Sequence, residues 1–387
     1  MIREKNQFSK FAITEIIIAT LISIFTTFRN GSVVSALFYA SFIIILMYLR
    51  HFLSKFPLLP LVLIAVCMFN VIQNALLSGG NVSFDYMKKL FMFSAFVLTM
   101  HYACSDGDSL DKKSITLIKL IPLFGAIELI ISFLFLGNTE TFAHGITLGF
   151  SNPNFTGMWV FHFILYAIIL LLDSKEHKHK WWMRILLISV IGLLSWLLYF
   201  TETRSCFIAL AAFLLLLVLG YFNIRIPPWA CILIAAFPLI LAIFYLNYVN
   251  SDWVRNTFSF MVSEGKSLTS RVWIWNRSLG FFYRHPLTGD YYGISGGTGQ
   301  SQLHNTHIDI LCSYGIIPLA LFIALLTRTL RLMLKKVESF KQYAAFVAFC
   351  TVIIMGSFEA AVVSGAMGMN LLSVGLIGLT ICRSDRS

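Results

Sequence analysis

Long apolar segments recur along the whole chain and are separated by short polar ones. A helix that crosses the hydrocarbon core of a bilayer needs about 20 mostly apolar residues. The pattern predicts twelve such spans, at residues 11–28, 33–49, 56–77, 87–104, 115–136, 155–172, 183–200, 204–222, 229–249, 306–326, 343–363 and 365–382. We therefore expect an all-α, polytopic membrane protein that forms a single membrane domain over residues 1–387.

The composition strengthens this prediction. Of the 387 residues, 58% are hydrophobic and 12% are charged, whereas soluble proteins have about 45–50% apolar and about 25% charged residues. The first apolar segment is long and is followed by no cleavage site of small residues, which favours an uncleaved span over a signal peptide. The seven cysteines are scattered without paired metal-type spacing, so no metal site is indicated.

The net charge of +11 raises the question of nucleic-acid binding. With the N-terminus inside, the predicted cytoplasmic segments hold 19 Lys and Arg residues, the other side holds 9, and one lies within a span. This bias follows the positive-inside rule, so it predicts cytoplasmic N- and C-termini and gives no indication of nucleic acid. The basic segments 175–180 and 328–336 are most simply cytoplasmic anchors.

Two predicted outer connections, residues 138–154 and 250–305, are longer than the topology requires. Loops of that length are usually functional or disordered, and the second is rich in aromatic residues. Within this large extracytoplasmic loop, residues 268–283 have the apolar spacing of a helix that lies at the membrane interface. Residues 289–299 contain too many glycines for a helix, and they lack the ending of a nucleotide P-loop.

Two of the arginines on the outer side, where the charge rule disfavours them, are candidates for a functional role. Arg204 begins the eighth span, and Arg271 lies in the amphipathic segment of the large loop. A guanidinium offers a fixed fork of donors that matches phosphate oxygens, so the two side chains together could clamp a diphosphate. The simpler alternatives are an arginine that snorkels to the interface and a solvated polar face.

His304 and His307 stand where the large loop re-enters the membrane. A pair with this spacing and no nearby third ligand is a weak metal motif, whereas one interfacial histidine suits proton transfer from a sugar hydroxyl at neutral pH. A helix-start histidine bonded to the backbone is the structural alternative. Ionisable residues within predicted spans keep a transporter alternative open; these are Glu15, His101, Lys119, Glu128, His162 and Glu359.

Four motifs occur in order between apolar spans: LGFSNPNFTGM at residues 148–158, TETRSCFIAL at 201–210, SRVWIWNRSLGFFYRHPLTGD at 270–290 and LHNTHIDILCSYGIIPLALF at 303–322. Together they resemble the O-antigen ligase and O-antigen polymerase superfamily. The resemblance covers about residues 140–330, and elsewhere the chain agrees only in being hydrophobic.

The resemblance implies a membrane glycosyltransferase of the metal-independent, all-helical class, which needs no cofactor. Its donor and acceptor would be undecaprenyl diphosphate-linked glycans in the bilayer, at the outer face of a bacterial cytoplasmic (inner) membrane. The flippase and the chain-length regulator of the same pathway would be further partners. By matching motifs, the catalytic residues would be Arg204, Arg271 and His304. Further candidates for substrate binding are Asn152, Asn154, Arg277, Asn305 and His307, and His307 is not matched to a shared pattern.

Within this superfamily we expect a polymerase of O-antigen or capsular repeat units that inverts the anomeric carbon. The first alternative is an O-antigen ligase, which transfers the same lipid-linked glycan to lipid A core. A ligase must also hold an anionic lipid A core, and the outer side adds few cations beyond Arg204 and Arg271. The second alternative is a transporter of lipid-linked sugars, whose binding residues should converge near the bilayer midplane.

Overall fold

The computed structural model describes residues 7–382 except 56, 78, 80–82, 108–109, 136–140, 143–144, 151, 177–180, 249–267, 300–302 and 360–366. The elements in chain order are α1 (Gln7–Thr27), α2 (Gly31–Ser54), α3 (Leu58–Leu77), α4 (Phe84–Asp106), α5 (Lys112–Phe135), β1 (Thr141–Phe142), β2 (Gly145–Ile146), α6 (Pro153–Glu176), α7 (Trp181–Thr201), α8 (Arg204–Tyr221), α9 (Ala230–Tyr248), α10 (Leu268–Phe282), α11 (Tyr291–Thr298), α12 (Thr306–Tyr314), α13 (Ile316–Lys336), α14 (Phe340–Met355) and α15 (Met367–Ile381).

The predicted all-α, multi-pass membrane architecture is confirmed. Within the described residues, nine helices are long and apolar enough to cross a membrane, namely α1–α3, α5–α9 and α13. Two shorter apolar helices, α14 and the part of α15 at Leu372–Ile381, add to them. The strands β1 and β2 form only a two-residue antiparallel pairing.

The tenth predicted span was wrong. The chain breaks at Gly315, with φ of 93°, so that the predicted span 306–326 is divided into α12 and α13 and the spanning helix is Ile316–Lys336. A Cβ atom at Gly315 would lie 2.1 Å from the carbonyl oxygen of Leu287, so only glycine fits this turn. As a result Arg328 and Arg331, expected in a cytoplasmic segment, lie within α13.

The end of the eleventh predicted span was also wrong. Helix α14 ends at Met355, where Gly356 caps it, instead of continuing to residue 363. Glu359 follows in the turn after the helix, so it does not lie within a spanning helix as the hydropathy pattern suggested.

Residues 289–299, expected to be too rich in glycine for a helix, contain α11. The side chain of Asp290 caps its first turn by accepting from the Gly293 amide at 2.8 Å, and Gly299 ends it with φ of 67°. A Cβ atom at Gly293 would come within 2.7 Å of the Phe281 ring. The glycines therefore allow α11 to pack closely on α10, and this packing outweighs their low helix propensity.

Ionisable residues within the spans contact neighbouring helices. Ser41 of α2 donates to the Glu15 carboxylate of α1 at 2.6 Å. Lys119 of α5 pairs with Asp173 of α6 at 2.8 Å. Such contacts join helices, which is the structural alternative to a transport route through the bundle.

A buried ion pair fixes α12 against α4. Lys89 pairs with Asp309, and their side chains are 6% and 0% exposed. The Lys89 ammonium also lies 3.0 Å from the Ser313 hydroxyl and 5.4 Å from the centre of the Tyr291 ring. Removing one partner of such a pair leaves a buried uncompensated charge, so the pair holds in place the segment that begins just after His304.

Candidate active site

One carboxylate, that of Glu359, gathers three side chains from distant parts of the chain. Its Oε1 accepts from Nη2 of Arg271 at 2.9 Å and from Nδ2 of Asn154 at 2.8 Å. Its Oε2 lies 3.1 Å from Nδ1 of His304. Three of the residues predicted from motifs, Arg271, His304 and Asn154, therefore meet on an acid that the motifs did not include.

The turn that carries Glu359 is fastened to the start of α12. The Thr306 amide donates to the carbonyl oxygen of Gly356 at 2.8 Å, and the Thr306 hydroxyl donates to that of Glu359 at 3.3 Å. The Asn305 amide group donates to the carbonyl oxygen of Ser357 at 2.9 Å. Because His304 directly precedes these anchors, its imidazole and the Glu359 carboxylate are held in a fixed relation.

His304 has a left-handed backbone conformation, with φ of 51°. This region is uncommon for residues other than glycine and costs about 1–2 kcal/mol. The Trp275 indole donates to the carbonyl oxygen of the preceding Leu303 at 2.6 Å, and Asn305 caps α12 on the other side. Strained conformations of this kind cluster at functional sites, and His304 combines one with the contact to Glu359.

Helix α10, which carries Trp275, also positions Arg271. It lies in the first turn of α10, four residues before Trp275, so the two side chains share one helix face. The side chain of Glu359 is 6% exposed, whereas those of Arg271 and His304 are 23% and 26% exposed. The acid is therefore the buried support, and the guanidinium and the imidazole are the groups that a substrate can reach.

The NPN motif begins α6. The Asn152 side chain accepts from the Asn154 amide at 2.7 Å, which is the bond of a helix cap. Pro153 occupies the first helical position, where its missing amide hydrogen costs nothing. The motif thus orients Asn154, whose side-chain amide reaches Glu359, while Asn152 acts on the backbone.

Arg204 begins α8 at the same end of the bundle and is exposed. The hydroxyl of the preceding Thr203 donates to the carbonyl oxygen of Pro153 at 3.1 Å, which joins the start of α8 to the start of α6. The Cys206 thiol lies 3.8 Å from the Met355 sulfur, at the end of α14. The first turn of α8 therefore lies beside the start of α6, which carries Asn154, and beside the end of α14, which Glu359 follows.

Among the described residues, Arg277, Asn305 and His307 contact partners other than Glu359. Arg277 is exposed, with its guanidinium 5.5 Å from the centre of the Trp273 ring. Asn305 is fully buried, and its side-chain oxygen accepts from two amides of α12. His307 is 1% exposed, and its Nε2 lies 2.8 Å from the carbonyl oxygen of Ala235. His304 and His307 thus point to different partners, not to a common metal position.

Glu359 is the member of this cluster that the motifs missed. It lies 55 residues after His304, and no local pattern links the two. The available signal was its place as the single acid in the predicted span 343–363, because an intramembrane carboxylate is costly without a function or a partner.

The arrangement is suited to proton transfer beside an anion-binding group. When Nδ1 of His304 donates to the ionised Glu359, Nε2 presents a lone pair to the open side. Arg271 uses one of its five donors on Glu359, so donors remain for an oxyanion. A candidate base, His304, and a candidate anion-binding group, Arg271, therefore contact the same carboxylate.

One part of the chain is similar to a known protein family. Residues 189–323, about a third of the chain, match the family model described as O-antigen ligase. The segment includes Arg204, Arg271 and His304 but neither Asn154 nor Glu359. No curated protein matches the chain.

The match implies a membrane glycosyltransferase-like enzyme of the ligase or polymerase type. The long apolar helices agree with such a multi-pass membrane protein. Residues 189–323 are similar to the O-antigen ligase family, which confirms that the chain resembles the O-antigen ligase and O-antigen polymerase superfamily.

Proposed function

We propose that the chain polymerises undecaprenyl diphosphate-linked oligosaccharide repeat units into O-antigen or capsular polysaccharide at the outer face of the bacterial inner membrane. The observation that carries this proposal is the bridge from Arg271 through Glu359 to His304. It brings a phosphate-binding group and a proton acceptor together at one end of the bundle. The termini would be cytoplasmic, and residues 250–305 would form the large outer loop of a single membrane domain.

In the proposed reaction, a hydroxyl of the acceptor glycan attacks the anomeric carbon of the donor. His304 accepts the hydroxyl proton through Nε2, and Glu359 keeps Nδ1 protonated and stabilises the imidazolium that forms. The new bond joins the acceptor oxygen to the anomeric carbon while the bond to the donor diphosphate breaks. A single displacement of this kind inverts the anomeric configuration.

Arg271 and Arg204 would bind the diphosphate and stabilise its charge as it leaves. Preorganised donors aimed at developing charge usually contribute more to catalysis than any other single effect. The diphosphate is already a good leaving group, and the arginines supply positive charge, so we propose a metal-independent reaction. Asn154 holds Glu359 in place and acts as a positioning residue.

The description of the matched family, O-antigen ligase, favours the ligase as the second candidate. A ligase must also bind the anionic lipid A core, and some outer cations already have partners within the protein. Lys89 is buried against Asp309, and the Arg284 guanidinium lies 4.6 Å from the centre of the Phe281 ring. Arg255 and Lys266, also expected on this side, lie outside the described residues. Lys88, Arg277 and Arg284 remain exposed, so the preference for the polymerase rests on the loss of Lys89 as a free outer cation.

Deleting the gene separates the two candidates. Loss of a polymerase should leave surface glycan as single repeat units and accumulate short lipid-linked intermediates. Loss of a ligase should instead accumulate long chains on undecaprenyl diphosphate and leave the lipid A core bare. Long lipid-linked chains in the deletion strain would overturn the polymerase assignment.

A further inference from the structure

An open groove of about 700 Å³ runs along one face of α13, at the end of the bundle opposite to Glu359. Its lining comes almost entirely from α13, with Ile232 of α9 on one side. Ala320 and Ala324 form part of the apolar floor, and both are exposed. The volume lies within the range of about 300–1,000 Å³ that is usual for ligand sites.

Three cations line one end of this groove. Arg328, Arg331 and Lys335 follow one another at helical spacings, so they share the groove face of α13. All three are exposed, and within the part of the chain that the structure describes none of them pairs with a carboxylate. Three such cations in a row form a binding surface for an anion with several oxygens.

The contacts of Arg328 indicate how deep in the membrane the three cations lie. Arg328 lies near His101 and Cys104, close to the end of α4, whereas Tyr86 at the start of α4 stacks on Tyr291 beside the candidate active site. The cations therefore lie near the membrane surface opposite to the site.

The apolar part of the groove has the length of a lipid chain segment. From Ala320 to Arg328 the helix rises by about 12 Å, close to half of the bilayer core, which is about 15 Å. The groove thus offers an apolar channel that ends at cations at the depth of one leaflet's headgroups.

We propose that this groove binds an anionic phospholipid, with its phosphate among Arg328, Arg331 and Lys335 and one acyl chain along Ala320 and Ala324. Arginine forks suit phosphate oxygens, and basic pockets between membrane helices on the cytoplasmic side bind anionic headgroups. Cations at cytoplasmic helix ends also follow from topology alone, but topology requires neither a groove nor alignment on one face. The inference uses the proposed orientation of the chain but does not depend on the proposed reaction.

The test measures phospholipid binding to the purified, delipidated full chain in detergent, by titration with native mass spectrometry. Phosphatidylglycerol is the anionic probe and phosphatidylcholine the zwitterionic one. The variant R328A/R331A removes two groove cations. The control K112A/K113A removes two exposed cations at the start of α5, at the same end of the bundle but outside the groove.

We expect R328A/R331A to bind phosphatidylglycerol about 30-fold more weakly, which is about 2 kcal/mol at 1.4 kcal/mol per tenfold. The control should stay within about twofold of the parent chain, and phosphatidylcholine should bind weakly to all three proteins. An equal loss in the control variant would overturn the proposal in favour of general attraction to the basic surface.

A second variant keeps all three cations and tests the acyl chain. Ala324→Phe changes an exposed residue and fills the apolar floor, so it should weaken phosphatidylglycerol binding at least tenfold. Unchanged binding by Ala324→Phe, together with displacement by inorganic phosphate, would reduce the site to a simple anion site. Tighter binding of undecaprenyl phosphate that displaces phosphatidylglycerol would assign the groove to the glycan carrier instead.

Discussion

The Nδ1 atom of His304 lies 3.1 Å from Oε2 of Glu359, although 55 residues separate them in sequence. The same carboxylate binds Arg271 through its other oxygen. One buried acid therefore orients the proposed base and the proposed diphosphate ligand at once. A substitution at Glu359 can therefore test the site while Arg271 and His304, the groups proposed to contact the substrate, stay unchanged.

Glu359→Gln should lower kcat by about 10²- to 10⁴-fold, the range over which general acid–base catalysis contributes. The glutamine oxygen can still accept from Arg271 and Asn154, but its amino group faces Nδ1 of His304 and favours the imidazole tautomer without a lone pair on Nε2. Because Arg271 keeps its acceptor, KM for the lipid-linked donor should change little. Steady-state kinetics on purified protein measure both; a normal kcat would remove Glu359 from the mechanism.

Arg271→Lys keeps the positive charge but loses the planar fork, which contacts Glu359 and in the proposed site also binds the diphosphate. Activity should fall about 10- to 100-fold, the usual scale for a lost charge-assisted contact, while the protein still inserts. Arg284→Lys is the matched control, because this arginine lies on the Phe281 ring and away from Glu359. If Arg271→Lys and Arg271→Ala both retain near-normal polymer, the diphosphate clamp is wrong.

His304→Gly separates folding from catalysis. Glycine relieves the left-handed backbone at φ of 51°, a gain of about 1 kcal/mol. This offsets the lost hydrogen bond to Glu359, which is also worth about 1 kcal/mol. The melting temperature should therefore stay close to that of the parent chain while polymer formation is abolished. An active His304→Gly protein would exclude His304 as the base.

The orientation can be tested with single cysteines in a cysteine-free background. Gly296 is exposed and a Cβ atom there meets nothing within 4 Å, so Gly296→Cys is tolerated. Lys113 is exposed at the start of α5, at the opposite end of the bundle. An impermeant thiol reagent should label Gly296→Cys in intact cells and Lys113→Cys only after the membrane is broken. The reverse pattern would put the candidate site on the cytoplasmic side.

Hydropathy predicted the membrane fold well, because spans must be apolar whatever they pack against. It failed where tertiary contacts decide the backbone. Gly315 interrupts an apolar segment because the chain must pass close to Leu287. Residues 289–299 form a helix because their glycines allow contact with Phe281. Neither neighbour is visible in a local pattern.

The candidate site could be predicted in part. The motifs pointed to Arg271, His304 and Asn154, and the structure brings all three to Glu359. Glu359 itself could not be paired with them, because it enters the site through a long-range turn after α14. The motifs also favoured Asn305, whose side chain is instead occupied in holding the turn and capping α12.

The polymerase assignment is tested most directly by incubating the purified chain with a single undecaprenyl diphosphate-linked repeat unit, in the presence of EDTA and without lipid A core. We expect a ladder of longer lipid-linked glycans, release of undecaprenyl diphosphate and inversion at the new linkage. The Glu359→Gln protein should produce this ladder about 10²- to 10⁴-fold more slowly. Absence of any ladder until lipid A core is added, followed by transfer of the glycan to that core, would contradict the polymerase.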